Sequence, residues 1–276
     1  MRLIALFLVA AGLWGAGGQR IVSTAPSITE TLFAMGLGPR VVGVTIYCKF
    51  PAEAAKLPKI GNLLTPDLEA IMALKPDLVV VHKTTTHLVE ALTRLHIQIV
   101  EVQSQNLDAI YAGAREIGKA TGAGDGAERM IRDMQSKLRG LKKLTAGLPK
   151  PSVVFIVGHT PGKLEGMVAG SGTSYFSDLL DYSGGSNIFH DVTAPYPRIS
   201  LEEILSRNPD AIMELSGDAR PKQEEVLALW HSKGMLKAVK TGRVFALESS
   251  PFLVPGPRAA EAVAILLRLL HPEIKY

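Results

Sequence analysis

Glu69 and Glu202 stand at the same place in two copies of one pattern. The copies are Leu68-Glu69-Ala70-Ile71 running to Pro76-Asp77-Leu78-Val79, and Leu201-Glu202-Glu203-Ile204 running to Pro209-Asp210-Ala211-Ile212. Each copy reads as a short helix, a Pro-Asp stop and a buried strand, Leu78–Val81 or Ala211–Leu215. A carboxylate in a first helical turn meets the positive end of the helix dipole, worth about 0.3–1 kcal/mol, and that explains either glutamate taken alone. Recurrence at matched positions implies two related lobes, each carrying one acidic group, with something gripped from both sides. The chemistry on offer is charge rather than turnover. No His-Glu-x-x-His, phosphate loop or Gly-x-Ser-x-Gly is present, and Asp77 and Asp210 sit where turn formation accounts for them. No catalytic residue is assigned, and an enzyme is not expected.

Two histidines hold the other candidate chemistry. His82 and His159 each close a predicted strand, one in each half. An imidazole there can ligate cobalt or haem iron, or can simply be hydrogen-bonded in a cleft without touching metal. A zinc or manganese site needs three or four converging donors at about 2.0–2.2 Å. No further histidine falls on the predicted cleft loops, so no metal ligand is assigned. His87, His96, His190, His231 and His271 read as surface or packing residues, and Cys48 as a residue of the loop after Tyr47.

The elements that must position these groups alternate strand and helix, which implies parallel sheets covered on both faces. Arg20–Thr24 is a strand, followed after Pro26 by a helix with capping-box spacing at Ser27 and Glu30. Val41–Val44, Leu78–Val81 and Gln98–Val102 are further strands. Leu107–Leu144 reads as helical with a glycine break at Gly122, Gly124 and Gly126. Its second part carries Ala127, Met130, Ile131, Met134, Leu138 and Leu141 on one stripe, about 27 Å long at 1.5 Å per residue. A helix of that length can strut two domains. Pro149-Lys150-Pro151 opens a second unit on the same plan, with a second capping box at Ser200 and Glu203.

In open parallel sheets ligands sit beyond the carboxyl ends of strands. Those ends carry Tyr47, His82, His159 and Ser250, and the loops holding Leu63 and Tyr196 join them.

The chain has 276 residues, 47% hydrophobic and 20% charged, with a net charge of +4. Its basic residues are scattered, unlike a nucleic-acid footprint. Cys48 is the only cysteine, so no internal disulfide can form. Met1-Arg2, the uncharged run Leu3–Leu13 and the small residues Ala16-Gly17-Gly18 have the layout of a cleavable secretory signal. The run is shorter than the roughly 20 residues that span a bilayer. With no cysteine there to take a lipid, a free periplasmic protein is expected.

Along about 250 residues the chain resembles a known class. Ile21–Glu30, Val42-Gly43-Val44-Thr45-x-Tyr47, Leu68-Glu69-x-Ile71, Lys75–Val79, Gly185-x-Asn187-Ile188-Phe189, Pro209-Asp210 and Pro257-Arg258-x-x-Glu261 look like periplasmic cobalamin-binding proteins. These belong to the helical-backbone metal receptors, which also take up iron siderophores and haem. The resemblance implies an α/β fold of two Rossmann-like lobes with parallel sheets, joined by a single long helix, with the ligand cleft between the lobes. It divides the chain into a signal peptide (1–18), an N-terminal lobe (19–122), the linking helix (123–148) and a C-terminal lobe (149–276).

It further implies a monomer that captures cobalamin or a related corrinoid and delivers it to an ABC-type permease dimer in the inner membrane. Glu69 and Glu202 then dock on permease arginines. Two such feet give oriented, bivalent attachment, and exposed ion pairs are weak enough for release. Tyr47 and Tyr196 occupy cleft positions suited to stacking on a flat macrocycle, with Leu63, His82, His159, Ser250 and Phe252 as further ligand contacts. No cofactor is expected, the chelate being cargo. Where the relatives carry tryptophan this chain has Leu63 and His82, which leaves an iron siderophore, a haem or, further off, zinc or manganese as alternatives.

Overall fold

The computed structural model describes residues 18–215 and 223–274. The expected signal segment lies almost wholly outside them. In the first half, β1 (Ile21–Ser23), α1 (Pro26–Ala34), β2 (Val41–Val44), α2 (Ala52–Ala55), α3 (Leu68–Ala73), β3 (Leu78–His82), α4 (Thr86–Arg94) and β4 (Gln98–Val102) follow in order. They build a four-stranded sheet of order β2-β1-β3-β4, parallel throughout. Ile21, Val22 and Leu78 through Val81 are fully buried, as strands covered on both faces require.

Helices α5 (Leu107–Thr121) and α6 (Gly124–Leu144) follow. Asn106 caps α5 through a bond from the Ala109 amide, and Gly122 ends it in the left-handed region at φ 69°. Only glycine adopts that conformation without strain, so the expected glycine break is real. The stripe on α6 is buried at Ala127, Met130, Ile131, Met134 and Leu138. Each of the larger side chains, Met130, Ile131, Met134 and Leu138, contributes about 1.5–3 kcal/mol of burial. Gly126 lets α6 seat on the end of α1, because a Cβ there would fall 2.4 Å from the Met35 carbonyl oxygen.

The second half contains β5 (Ser152–Gly158), β6 (Met167–Ala169), α7 (Tyr175–Tyr182), β7 (Ser186–Asn187), β8 (Arg198–Ile199), α8 (Leu201–Arg207), β9 (Ala211–Leu215), α9 (Gln223–His231), α10 (Lys237–Lys240), β10 (Val244–Leu247), α11 (Ser249–Phe252) and α12 (Ala259–Leu270). Its sheet runs β10-β9-β5-β6-β8, with β7 beside β5. The expectation of a parallel sheet is corrected here. β6 is antiparallel to both β5 and β8. The chain leaving β5 turns back through Gly162 and Gly166, both at positive φ. No crossover helix intervenes, so the next strand has to reverse direction.

One hydrophobic cluster runs from Ile28 and Leu32 on α1, through Ile131 and Leu138 on α6, to Phe155 and Leu266 of the second half. The connecting helix is thus a shared wall of both lobes. The two pattern copies fold alike. Asp67 caps α3 and Ser200 caps α8, the latter in a complete capping box with Glu203. Lys75 and Asn208, each just before the proline, both take positive φ, 46° and 43°.

The capping box expected at Ser27 and Glu30 is absent. Helix α1 starts two residues earlier, at Pro26, with Ala25 as an N-cap that offers no side-chain bond. Both polar side chains are committed elsewhere. Ser27 Oγ lies 3.0 Å from His82 Nε2, and Glu30 binds Arg258.

Candidate functional site

The loop leaving β2 exposes two rings, Tyr47 at 44% and Phe50 at 48%. The same loop buries Cys48, whose sulfur accepts from Thr29 Oγ1 at 3.1 Å. Large aromatic rings half open to water, on loops at the carboxyl edge of a sheet, are what a flat apolar ligand needs. From the other half, Tyr196 is 42% exposed. Its ring meets Phe176 edge-on at 6.2 Å, which fixes its orientation. Burial around its hydroxyl pushes that group's pKa up.

Beside β3, Leu63, Leu64, Leu68, His82, Thr84 and Leu88 line a cavity of about 540 Å³. Its complete lining holds hydroxyls, apolar groups and the imidazoles of His82 and His87, but no Lys, Arg, Asp or Glu. Leu63 contributes to its wall at 37% exposure, and Leu64 stands out at 86%.

The two histidines are held, not free. His82 Nε2 meets Ser27 Oγ and its ring hydrogen-bonds the Val102 backbone, while burial holds its pKa below the usual histidine value. His159 Nδ1 donates to the Thr160 carbonyl at 2.8 Å. Its Nε2 lies 3.0 Å from Glu214 Oε1. Trp230 Nε1 donates to the other Glu214 oxygen at 2.6 Å. Burial opposes charge on His159, but the bonds to Thr160 and Glu214 outweigh it and raise its pKa. Both rings are therefore placed at strand ends as expected, and each is held by protein partners.

Ser250 is exposed, and its hydroxyl accepts from Arg258 Nη2 at 2.9 Å. Phe252 is a correction. It is 1% exposed and packs 5.9 Å from Phe155 within the core, so it presents no face to a ligand. The family resemblance implied a ligand contact here, but the kinked turn of α11 carries the ring inward.

Glu69 and Glu202 both lie exposed in the first turns of α3 and α8. Among the described residues neither pairs with a cation.

Several residues of this region were not singled out from sequence. Glu214 carried a signal, a lone charge inside the apolar strand Ala-Ile-Met-Glu-Leu, which has to find buried partners. Phe50, Trp230 and the Glu30–Arg258 pair carried none at short range, since the partners are far apart in the chain.

Comparison with known proteins places these features. Residues 21–251 match the family model described as periplasmic binding protein. The vitamin B12-binding protein of Pectobacterium atrosepticum is 30% identical over 242 residues, covering 86% of this chain and 85% of that protein. A Bacillus subtilis relative, an uncharacterized ABC transporter substrate-binding lipoprotein, is 28% identical and covers 92% of this chain and 81% of its own length. Among solved structures, the periplasmic vitamin B12 binding protein of Vibrio cholerae superimposes with a TM-score of 0.76 at 26% identity, covering 94% of this chain and 99% of that one. A periplasmic haem-binding protein, solved with two haems, shares the fold at a TM-score of 0.79 and 22% identity, over 92% of this chain and 98% of its own. With a match that spans both sheets and the helix between them, the chain belongs to the periplasmic binding protein family.

Proposed function

We propose that this chain is the substrate-binding component of an ABC importer, capturing cobalamin or a related corrinoid between its lobes and presenting it to the membrane permease. The observation that carries the reading is the likeness, along nearly the whole length of both partners, to vitamin B12-binding proteins. The site's chemistry agrees with it. Tyr47 and Tyr196 offer one ring from each lobe. The hydroxyl-rich cavity by His82, with no Lys or Arg in its lining, suits an amide-decorated macrocycle better than a carboxylate-bearing one.

Both histidines are committed to protein partners. Among the described residues no three His, Cys, Asp or Glu cluster as a metal site, so the zinc or manganese reading lacks a donor set there. Binding without turnover is the activity, and Glu69 and Glu202 are the two feet that meet the permease. The segment Leu3–Leu13 with its flanks serves as the cleavable export signal.

Calorimetric titration of the purified protein with cyanocobalamin, haemin, a ferric siderophore and zinc tests the reading. Cyanocobalamin is expected to bind tightest. Binding of zinc with no chelate bound overturns the proposal, and preference for haemin moves the cargo to the haem alternative.

A further inference from the structure

Arg258 precedes α12 in the second lobe, while Glu30 lies on α1 of the first. Their side chains are 14% and 3% exposed. Nε donates to Oε2 at 2.9 Å and Nη2 to Oε1 at 2.6 Å. A two-pronged planar contact fixes angle as well as distance, which a single lysine ammonium does not do. A buried pair of this kind gains little net stability over an apolar one, because desolvation offsets attraction. What it supplies is geometry. Here the geometry spans the two lobes.

The same guanidinium does two more things. Nη2 donates to Ser250 Oγ at 2.9 Å, at the mouth of the second lobe. The guanidinium carbon lies 4.4 Å from the centre of the Phe50 ring. That stacking covers one side of a ring which stays 48% exposed, on the loop that also carries Tyr47. The ring is thus steadied from behind and open in front.

We propose that Arg258 is a positioning residue, fixing the separation of the lobes through Glu30 and holding Phe50 as a further aromatic wall against the cargo. The second half of this statement rests on the cleft being a chelate site, and the first does not.

Two readouts separate them. Nitroxide labels on Glu69→Cys and Glu202→Cys, one in each lobe, report lobe separation without cargo. A narrow distance distribution is expected in the otherwise unaltered protein, and clear broadening with Arg258→Lys or Glu30→Gln. An unchanged distribution overturns the fixing role. Should Arg258→Lys fail to fold, the near-isosteric Glu30→Gln decides the point.

Binding of cyanocobalamin and haemin supplies the second readout. Phe50→Ala is expected to weaken whichever chelate binds by tenfold or more, with unchanged lobe separation and melting. Phe50→Tyr should stay within twofold. Arg258→Lys should weaken binding less in the Phe50→Ala background than alone, since both changes remove one wall. Wild-type affinity in Phe50→Ala removes that ring from the site. Strict additivity shows that Arg258 does not act through it. If the unaltered protein takes up neither chelate, the cargo reading and the Phe50 contact fall together, and the label distances still decide the role of Arg258.

Discussion

Asp210 and Ser152 hold each other at both main chain and side chain. The Ser152 amide and hydroxyl donate to Asp210 Oδ2 at 2.8 and 2.9 Å, and the Asp210 amide donates back to the Ser152 carbonyl at 2.8 Å. Asp77 repeats the arrangement with Arg20. The Arg20 amide donates to its Oδ2 at 2.6 Å and the Asp77 amide to the Arg20 carbonyl at 2.9 Å. In each lobe the aspartate of the repeated Pro-Asp step therefore pins the start of the first strand.

Removing these clamps should cost unequal amounts. Asp210 is the more enclosed, with a side chain 25% exposed, so Asp210→Ala should lose about 1.5–3 kcal/mol, the range for hydrogen bonds to a charged group. Asp77→Ala, at an exposed site, should lose about 1 kcal/mol. Urea unfolding of the two variants checks the order, and equal losses would contradict it.

Lys75 invites a stabilising change. It holds φ 46°, where its counterpart is Asn208 at 43°. Asparagine tolerates this region, while lysine is strained there by about 1 kcal/mol or more. Lys75→Asn or Lys75→Gly should raise the melting temperature by a few degrees, about 1 kcal/mol in stability. A fall in melting temperature for both would show that the lysine side chain makes a compensating contact.

His159 should leave a mark on pH dependence. Its pKa in the folded chain is raised above the ordinary value. The protonated form is thus favoured by folding. That stability is complete below about pH 6, near the unfolded pKa, and fades as pH rises through the folded one. The melting-temperature gap between the wild type and His159→Gln should be wide at about pH 6 and narrow by about pH 9. A gap that stays constant across this range refutes the charged His159–Glu214 contact.

Tyr47, Tyr196 and Phe252 should part company on mutation. Tyr47→Ala and Tyr196→Ala should each weaken cyanocobalamin binding by about 1–3 kcal/mol with little loss of stability, as truncated aromatic anchors do. Phe252→Ala should instead destabilise the fold by about 3–5 kcal/mol, because it empties a core site beside Phe155. Calorimetric binding and thermal unfolding run side by side distinguish the two behaviours.

Glu69→Ala combined with Glu202→Ala should leave cyanocobalamin affinity unchanged and abolish uptake by cells that carry the permease. The two helices present these carboxylates to solvent. Undiminished uptake by the double variant removes them from the docking surface.

Local signals made much of this molecule legible. The alternation of strand and helix, the glycine break at Gly122 and the stripe from Ala127 to Leu138 each depend on residues within a few turns of one another. So does the capping box at Ser200 and Glu203. The same spacing at Ser27 and Glu30 gave the wrong answer, because a capping bond is weak enough for distant partners to displace it. His82 and Arg258 claim those side chains from 55 and 228 residues away. The reversed strand Met167–Ala169 was hidden by its shortness. Phe252 and Phe50 show the limit for the site. Both are phenylalanines a few residues past strand ends, and only tertiary packing decides which ring turns inward.

Without a side-chain cap, α1 depends on what reaches it from elsewhere, and Glu30 is nearly sealed from water. Its counter-charge arrives only with residue 258, near the other end of the chain. A polypeptide threaded across a membrane amino-end first would carry that acidic group unmatched until almost its whole length had emerged. A chain cut short before Arg258 would leave the Glu30 carboxylate on α1 without this partner.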